Sequence, residues 1–320
     1  MVEISMSNDS VNIDHNSMTL YLNRFLDWSD SMNYSKATNK TRNVCIRQLI
    51  VWCDARGIEK PHDVTKPVLE QYRRYVFNYR KVDGQPLSFS TQHSRLAPLK
   101  AFFKWLSKEN YILYNPAADF QLPRVPKRLP KDILSTDEIN SMLNHTSIFG
   151  DAGIRDRAII ETFYSTGIRR MELVGLRLQD FDDERGTLTI FDGKWKKDRV
   201  VPIGERASVW LKKYLIDVRP NLVSDADSAH IFLTDYGEAF VLNRVTDLIK
   251  KYMNACGINK KGACHLFRHA MATHMLENGA DIRFIQAMLG HENLSSTEIY
   301  TQVSIKKLKQ VHAATHPAKF

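Results

Sequence analysis

No stretch of the 320 residues approaches 18 uninterrupted apolar positions, so the sequence holds no helix fit to span a bilayer. Cysteine is scarce. Cys45 and Cys53, then Cys256 and Cys264, stand eight apart in each pair, and no C-x-x-C spacing occurs. That argues against a zinc knuckle or a disulfide framework and suits a reducing compartment. The opening residues, MVEISMSNDSVNIDHN, lack the basic start and apolar core of a signal peptide. They are expected to be a mobile leader, residues 1–16, on a cytoplasmic protein. Internal repeats and low-complexity tracts are missing too. Core material is present in ordinary amount: 43% of residues are hydrophobic and 25% charged, which places the chain among globular proteins. Its length allows two domains.

The net charge of +9 points toward a nucleic-acid partner, because lysine and arginine on one face displace counterions from phosphates. The excess is densest in the N-terminal part and in PRVPKRLPKD. That second segment holds Pro123, Pro126 and Pro130 among four basic side chains and reads as a stiff, extended linker over residues 123–133.

Residues 17–122 carry apolar residues at helical spacing (Leu22, Phe25, Leu26; Val44, Leu49, Val51, Trp52) and a Gly-Gln-Pro turn signal, predicting a four-helix bundle. Phe102, Phe103 and Trp105 are expected in its core. Arg42, Arg47, Arg73, Arg74 and Arg95 fit either a phosphate-facing surface or a solvated one. Beyond the linker, Ser135 and Glu138 form a capping box that restarts helix. Two periodic runs follow (Ala158, Ile159, Phe163; Met171, Leu173, Leu176), broken at STG before Arg169. The period then changes to two: TLTIFDG and RVVPIG predict a hairpin with KWKKD at its turn. Four further helical segments lead to Gly290, and a second capping box, Ser295 with Glu298, opens a helix carrying Tyr300. The expected fold is mainly α: an N-terminal helical bundle, then a mostly helical domain with a small antiparallel sheet.

Tyr300 raises the chemical question. A phenol has a pKa near 10, so about one in a thousand is ionised at pH 7. To attack phosphorus it needs a base or strong positive potential. The transition state of phosphodiester exchange places charge on two non-bridging oxygens, which arginine forks match, and the leaving alkoxide needs a proton donor. The chain can supply all of these. HLFRH sets His265 and Arg268 three apart on one helical face. His291 follows Gly290, Arg169 follows a glycine break, and Lys194 stands at the hairpin turn. His265 and His269 are four apart, but Leu266 occupies the position where HExxH requires glutamate, which weakens a metal reading.

YSTGIRRMELVGLRLQDF, DGKWKKDRVVPIG and HLFRHAMATHMLENGADIRFIQAMLGHENLSSTEIYT together resemble the tyrosine recombinase (phage integrase) family, most of all its bacterial Xer-like members. The likeness runs over nearly all of residues 135–316, in order and with matching spacings. The N-terminal part resembles the family's core-binding, SAM-like domain in size and helix count. The resemblance implies a core-binding domain over 17–122, a catalytic domain over 134–303 and a subunit-exchange tail over 304–320, with Ile305, Leu308 and Val311 docking into a neighbouring subunit. It implies catalytic roles for Arg169, Lys194, His265, Arg268 and His291, with Tyr300 as nucleophile and Glu172 supporting Arg169. It further implies a 3′-phosphotyrosyl intermediate, no metal or nucleotide cofactor, and a tetramer on two double-stranded DNA sites. A second recombinase or an accessory DNA-bending protein could share that assembly. Trp195 stands where these proteins commonly have glycine, which leaves Lys196 and Lys197 as alternatives to Lys194. Gln302 and Phe267 replace a frequent histidine and leucine.

Three other readings share parts of the pattern. A type IB topoisomerase-like enzyme has the same chemistry without a fixed site. A catalytically silent DNA-binding regulator needs only the basic clamp. A zinc hydrolase on His265, His269 and His291 predicts inhibition by chelators.

Overall fold

The computed structural model describes residues 16–126, 132–191, 198–223 and 229–290. The chain forms two compact units, residues 1–127 and 128–320.

Among the described residues, four α-helices build the first unit: α1 (Ser17–Ser31), α2 (Lys36–Asp54), α3 (Lys66–Asn78) and α4 (Phe89–Lys108). Three begin on a polar cap that satisfies an otherwise orphaned N–H: Asn16 accepts from Met18, Ser35 from Thr38 and Ser88 from Thr91. The helices meet over an aromatic core. Phe102 and Phe103 are fully buried and Trp105 is 5% exposed, the core role expected of them. Phe25 packs edge-on against Phe102 with centroids 5.5 Å apart, and Phe102 packs edge-on against Phe103 at 5.4 Å. Val44, counted with the apolar stripe of α2, is exposed instead.

Pro98 lies inside α4 and cannot donate to the carbonyl four residues back. That carbonyl, on Ser94, receives the Cys45 thiol of α2 at 3.7 Å. A weak donor from a neighbouring helix thus occupies the gap that proline leaves. All four cysteines are unbridged.

The undecided arginines of this unit are mostly engaged with it. Arg42 lies 4.0 Å from the Tyr34 ring centroid and donates to Ser29. Arg47 donates to Asn43, Arg73 pairs with Glu70 at 2.6 Å, and Arg95 lies 5.5 Å from the Tyr79 ring. Arg74 is exposed.

The second unit opens with α5 (Thr136–His145), whose capping box forms as expected: Ser135 Oγ accepts from Glu138 N at 3.1 Å, and Glu138 accepts from Ser135 N at 2.7 Å. Next come α6 (Gly150–Thr166) and α7 (Arg170–Gly175). Strands β1 (Phe181–Asp182), β2 (Thr187–Ile190) and β3 (Arg199–Pro202) form an antiparallel sheet in that order, with Leu188 opposite Val201. The hairpin of β2 and β3 was legible as period two; β1, only two residues long, was not. Helix α8 (Glu205–Lys213) passes through a π-type turn at Tyr214–Val218 into α9 (Arg219–Leu222), and α10 (Leu242–Ala255), α11 (Cys264–Glu277) and α12 (Ile282–Leu289) follow.

Helix α6 is the centre of this unit. Ala158, Ile159, Ile160 and Phe163 are fully buried, and Phe163 stacks on Phe267 of α11 with centroids 6.2 Å apart. Burying one such ring stabilises the fold by about 1.5–3 kcal/mol. Met171 of α7 is 68% exposed, so the apolar run there does not extend to it. The α6–α7 break, β3 and the ends of α11 and α12 converge beside this core. Among the described residues no helix is long and apolar enough to cross a membrane.

Candidate active site

Gly167 ends α6 in the left-handed region, φ 62°, and its N–H donates to Phe163 O at 2.9 Å. A Cβ here would sit 2.1 Å from Met271 Cε and 3.1 Å from Leu289 Cδ2, so both backbone angle and space call for glycine. After buried Ile168 the chain extends to Arg169, the N-cap of α7. Its backbone N–H donates to Glu172 Oε2 at 2.7 Å, and its guanidinium donates to Glu172 Oε1 at 2.8 Å. Arg170 turns elsewhere and donates to Thr246 Oγ1 on α10. The two adjacent arginines therefore serve different faces.

His265 and Arg268 occupy the first turn and a half of α11 but differ in depth. His265 is exposed, whereas Arg268 is 6% exposed. Arg268 Nη1 donates to Gly167 O and Nη2 to Leu289 O, each at 2.7 Å. These charge-assisted bonds tie the residue two before Arg169 to the residue two before His291. One buried guanidinium thereby draws together three segments that are distant in sequence.

The imidazole of His265 is held below its usual 6.5, first by partial loss of hydration and then by the cations Arg268, Arg170 and Arg169. His269, one turn on, is lowered by burial, by His265 and by Arg268. Burial alone would raise the Glu172 carboxyl. The Arg199 guanidinium, the Arg169 N–H and the Arg169 guanidinium overcome that and bring it down to about 2.

Arg199 was not anticipated. It opens β3, donates through Nη1 to Glu172 Oε1 at 3.0 Å and through Nη2 to Oε2 at 2.8 Å, and donates through Nε to Met288 O at 2.9 Å. The sequence carried a signal for it. Val201 and Ile203 are buried, and period-two alternation puts Arg199 on their side of the strand, where a charge requires a partner.

Of the residues singled out in the sequence, Arg169, Glu172, His265 and Arg268 come together around the end of α6. Lys194, with its alternatives Lys196 and Lys197, and His291 and Tyr300 lie outside the described residues, as do the Ser295–Glu298 capping box and the tail residues Ile305, Leu308 and Val311. Among the described residues no three histidine, cysteine, aspartate or glutamate side chains are placed to hold a metal ion.

A family profile described as phage integrase family matches residues 132–307, and one described as phage integrase, N-terminal SAM-like domain, matches residues 21–113. The chain belongs to the phage integrase family of tyrosine-type site-specific recombinases. This integrase-family chain is 51% identical over 305 residues to tyrosine recombinase XerC 2 of Ralstonia nicotianae, covering 95% of this chain and 88% of that one. Against tyrosine recombinase XerD of Pseudomonas putida it is 38% identical over 222 residues, 69% of this chain and 74% of that one. The crystal structure of XerH site-specific recombinase bound to palindromic difH substrate, a post-cleavage complex, shares the fold with a TM-score of 0.70. At 20% identity that match covers 88% of this chain and 80% of the other. The mainly helical fold with its small antiparallel sheet, read from the sequence, agrees with the family.

Proposed function

We propose that this recombinase cuts and rejoins double-stranded DNA at specific sites through a 3′-phosphotyrosyl link formed by Tyr300, with no metal or nucleotide cofactor. Tyr300 Oη attacks the scissile phosphorus and the 5′-oxygen of the next nucleotide leaves. The proton passes from the phenol toward His265, while Lys194 protonates the departing oxygen. Arg169 and Arg268 stabilise the non-bridging oxygens and His291 hydrogen-bonds the same phosphate. Because the phosphodiester energy is kept in the tyrosyl ester, attack by a 5′-hydroxyl reseals the strand with no outside energy source.

The observation that carries this reading is Arg268. Its buried guanidinium braces the segments that lead to Arg169 and to His291, and the lowered pKa of His265 favours a neutral, proton-accepting imidazole at pH 7. On the same reading residues 17–122 form a core-binding domain, 123–133 a basic linker, 134–303 the catalytic domain and 304–320 a tail exchanged between subunits of a tetramer. The protein works in the cytoplasm, on paired DNA sites, alone or with a second recombinase or a DNA-bending partner.

The test uses duplex DNA nicked near candidate sites, incubated with protein in EDTA and stopped with SDS. A covalent adduct is expected from the parent and none from Tyr300→Phe, which should still bind DNA. An adduct that survives this substitution removes Tyr300 as nucleophile. Dependence on divalent metal supports the zinc reading, and binding with no adduct from the parent on any site supports a regulator.

A further inference from the structure

We propose that Arg199 is a positioning residue for strand cleavage: it locks Glu172, and through Glu172 the arginine at position 169, to the last turn of α12 that leads to His291. The inference rests on the proposed function for its consequence, and on geometry for the lock itself.

All three kinds of guanidinium nitrogen are engaged. Nη1 and Nη2 take one oxygen each of the Glu172 carboxylate, at 3.0 and 2.8 Å, and Nε takes Met288 O at 2.9 Å. The paired side chains are 12% and 5% exposed, so little water competes. The same carboxylate oxygens accept from Arg169, Oε1 from its guanidinium and Oε2 from its backbone N–H. Glu172 is thus a shared hub with four donors, two supplied by Arg169 and two by Arg199. Without Arg199 a buried carboxylate keeps half its donors and the Met288 carbonyl loses its side-chain partner, an arrangement that low-dielectric surroundings penalise.

The lock also reaches Gly290. A Cβ on that glycine would stand 3.1 Å from Arg199 Cδ and 3.3 Å from Nε, so the Arg199 side chain lies along the turn immediately before His291. Arg199 is the first residue of β3 and follows Lys194 by five positions in the sequence. Strand β3, Arg169 and the approach to His291 are therefore joined through one side chain. Lysine cannot replace it: an ammonium lacks the planar fork and reaches one or two of three acceptors.

The experiment compares the full-length parent with Arg199→Met, Arg199→Lys, Glu172→Gln and the Arg199→Met/Glu172→Gln double variant. Single-turnover cleavage is measured on nicked duplex at saturating protein, and DNA affinity separately. Arg199→Met is expected to slow cleavage by about 10- to 100-fold, the order expected when an orienting contact is lost, with DNA affinity unchanged within about twofold. Arg199→Lys should fall between Met and parent. If both residues act through one hub, the double variant loses no more than its worse single parent. Losses that multiply, or Arg199→Met cleaving within about twofold of the parent, overturn the proposal.

Backbone hydrogen exchange supplies a readout independent of activity. In Arg199→Met, amides of residues 168–173 and 286–290 should exchange faster while those of α8 and α10 keep parental protection. Unchanged exchange in both segments overturns the lock whether or not the protein cleaves. Loss of protection across the whole second unit also overturns it, since Arg199 would then be a general stabiliser. A parent that makes no Tyr300-dependent adduct defeats the proposed function instead, and the exchange result still decides Arg199.

Discussion

At the residue scale the chemistry turns on which groups titrate near neutral pH. Glu172, at about 2, remains a carboxylate throughout the working range and contributes no limb to a pH–rate profile there. His265 is different. Lost hydration and then Arg268, Arg170 and Arg169 lower its pKa from 6.5, so the neutral form extends further into acid than for a free imidazole. A general base, the role proposed for His265, acts when deprotonated. Cleavage should therefore be flat near pH 7 and fall only as pH drops through a midpoint below 6.5. His269, one turn away, is lowered as well, by burial first and then by His265 and Arg268. Single-turnover rates from pH 5 to 8 check this. His265→Gln should lower the plateau by about 10²- to 10⁴-fold. A parental plateau in that variant would assign the base to another group. A limb centred above 6.5 would mean that the neighbouring cations do not govern His265.

At the element scale the second unit depends on how helices end. Helix α12 stops at Gly290, φ 61°, and the Arg199 side chain runs beside it. Gly290→Ala meets two obstacles: a left-handed alanine, costing about 1–2 kcal/mol, and a Cβ 3.1 Å from Arg199 Cδ. The thermal midpoint should fall by about 2–6 °C, and cleavage should drop with it. Gly290→Asn separates the two causes. Asparagine tolerates the left-handed region better but carries the same Cβ, so it should recover stability and not cleavage. Recovery of both would show that contact with Arg199 is unimportant. Much of this architecture was legible in the sequence because it rests on local signals: the capping box at Ser135, the glycine break at Gly167, period two around Val201. What stayed hidden depends on tertiary contact. The two-residue β1 exists by pairing with Leu188 and Thr187, Met171 is left outside the core, and the depth of Arg268 arises from carbonyls 101 and 21 residues away. Arg199 stood next to a run of charges that reads as a solvated turn, and its inward parity mattered only once Glu172 was known to face it.

At the scale of the whole molecule the question is where the charge of +9 acts. In the first unit Arg42, Arg47, Arg73 and Arg95 are engaged by rings or side chains of their own unit, which lessens their claim to be the main phosphate contacts. Arg124, Lys127, Arg128 and Lys131 crowd into ten residues of proline-rich sequence with one acid, Asp132. As a property of the sequence alone, prolines at this density disfavour helix, and an extended chain would set successive cations against successive phosphates. Each phosphate neutralised steepens the dependence of log affinity on log salt by about 0.9. Substituting all four with glutamine should therefore reduce the slope by about 3 to 4 if every one contacts phosphate. Affinity measured from 50 to 300 mM salt reads this directly, on specific and random duplex alike, since phosphate contacts carry no sequence information. Binding to both duplexes should weaken in parallel, with the preference between them preserved. An unchanged slope would move the electrostatic footprint to the two folded units and leave the connector as a spacer. A loss confined to the specific duplex would make these residues readers of sequence.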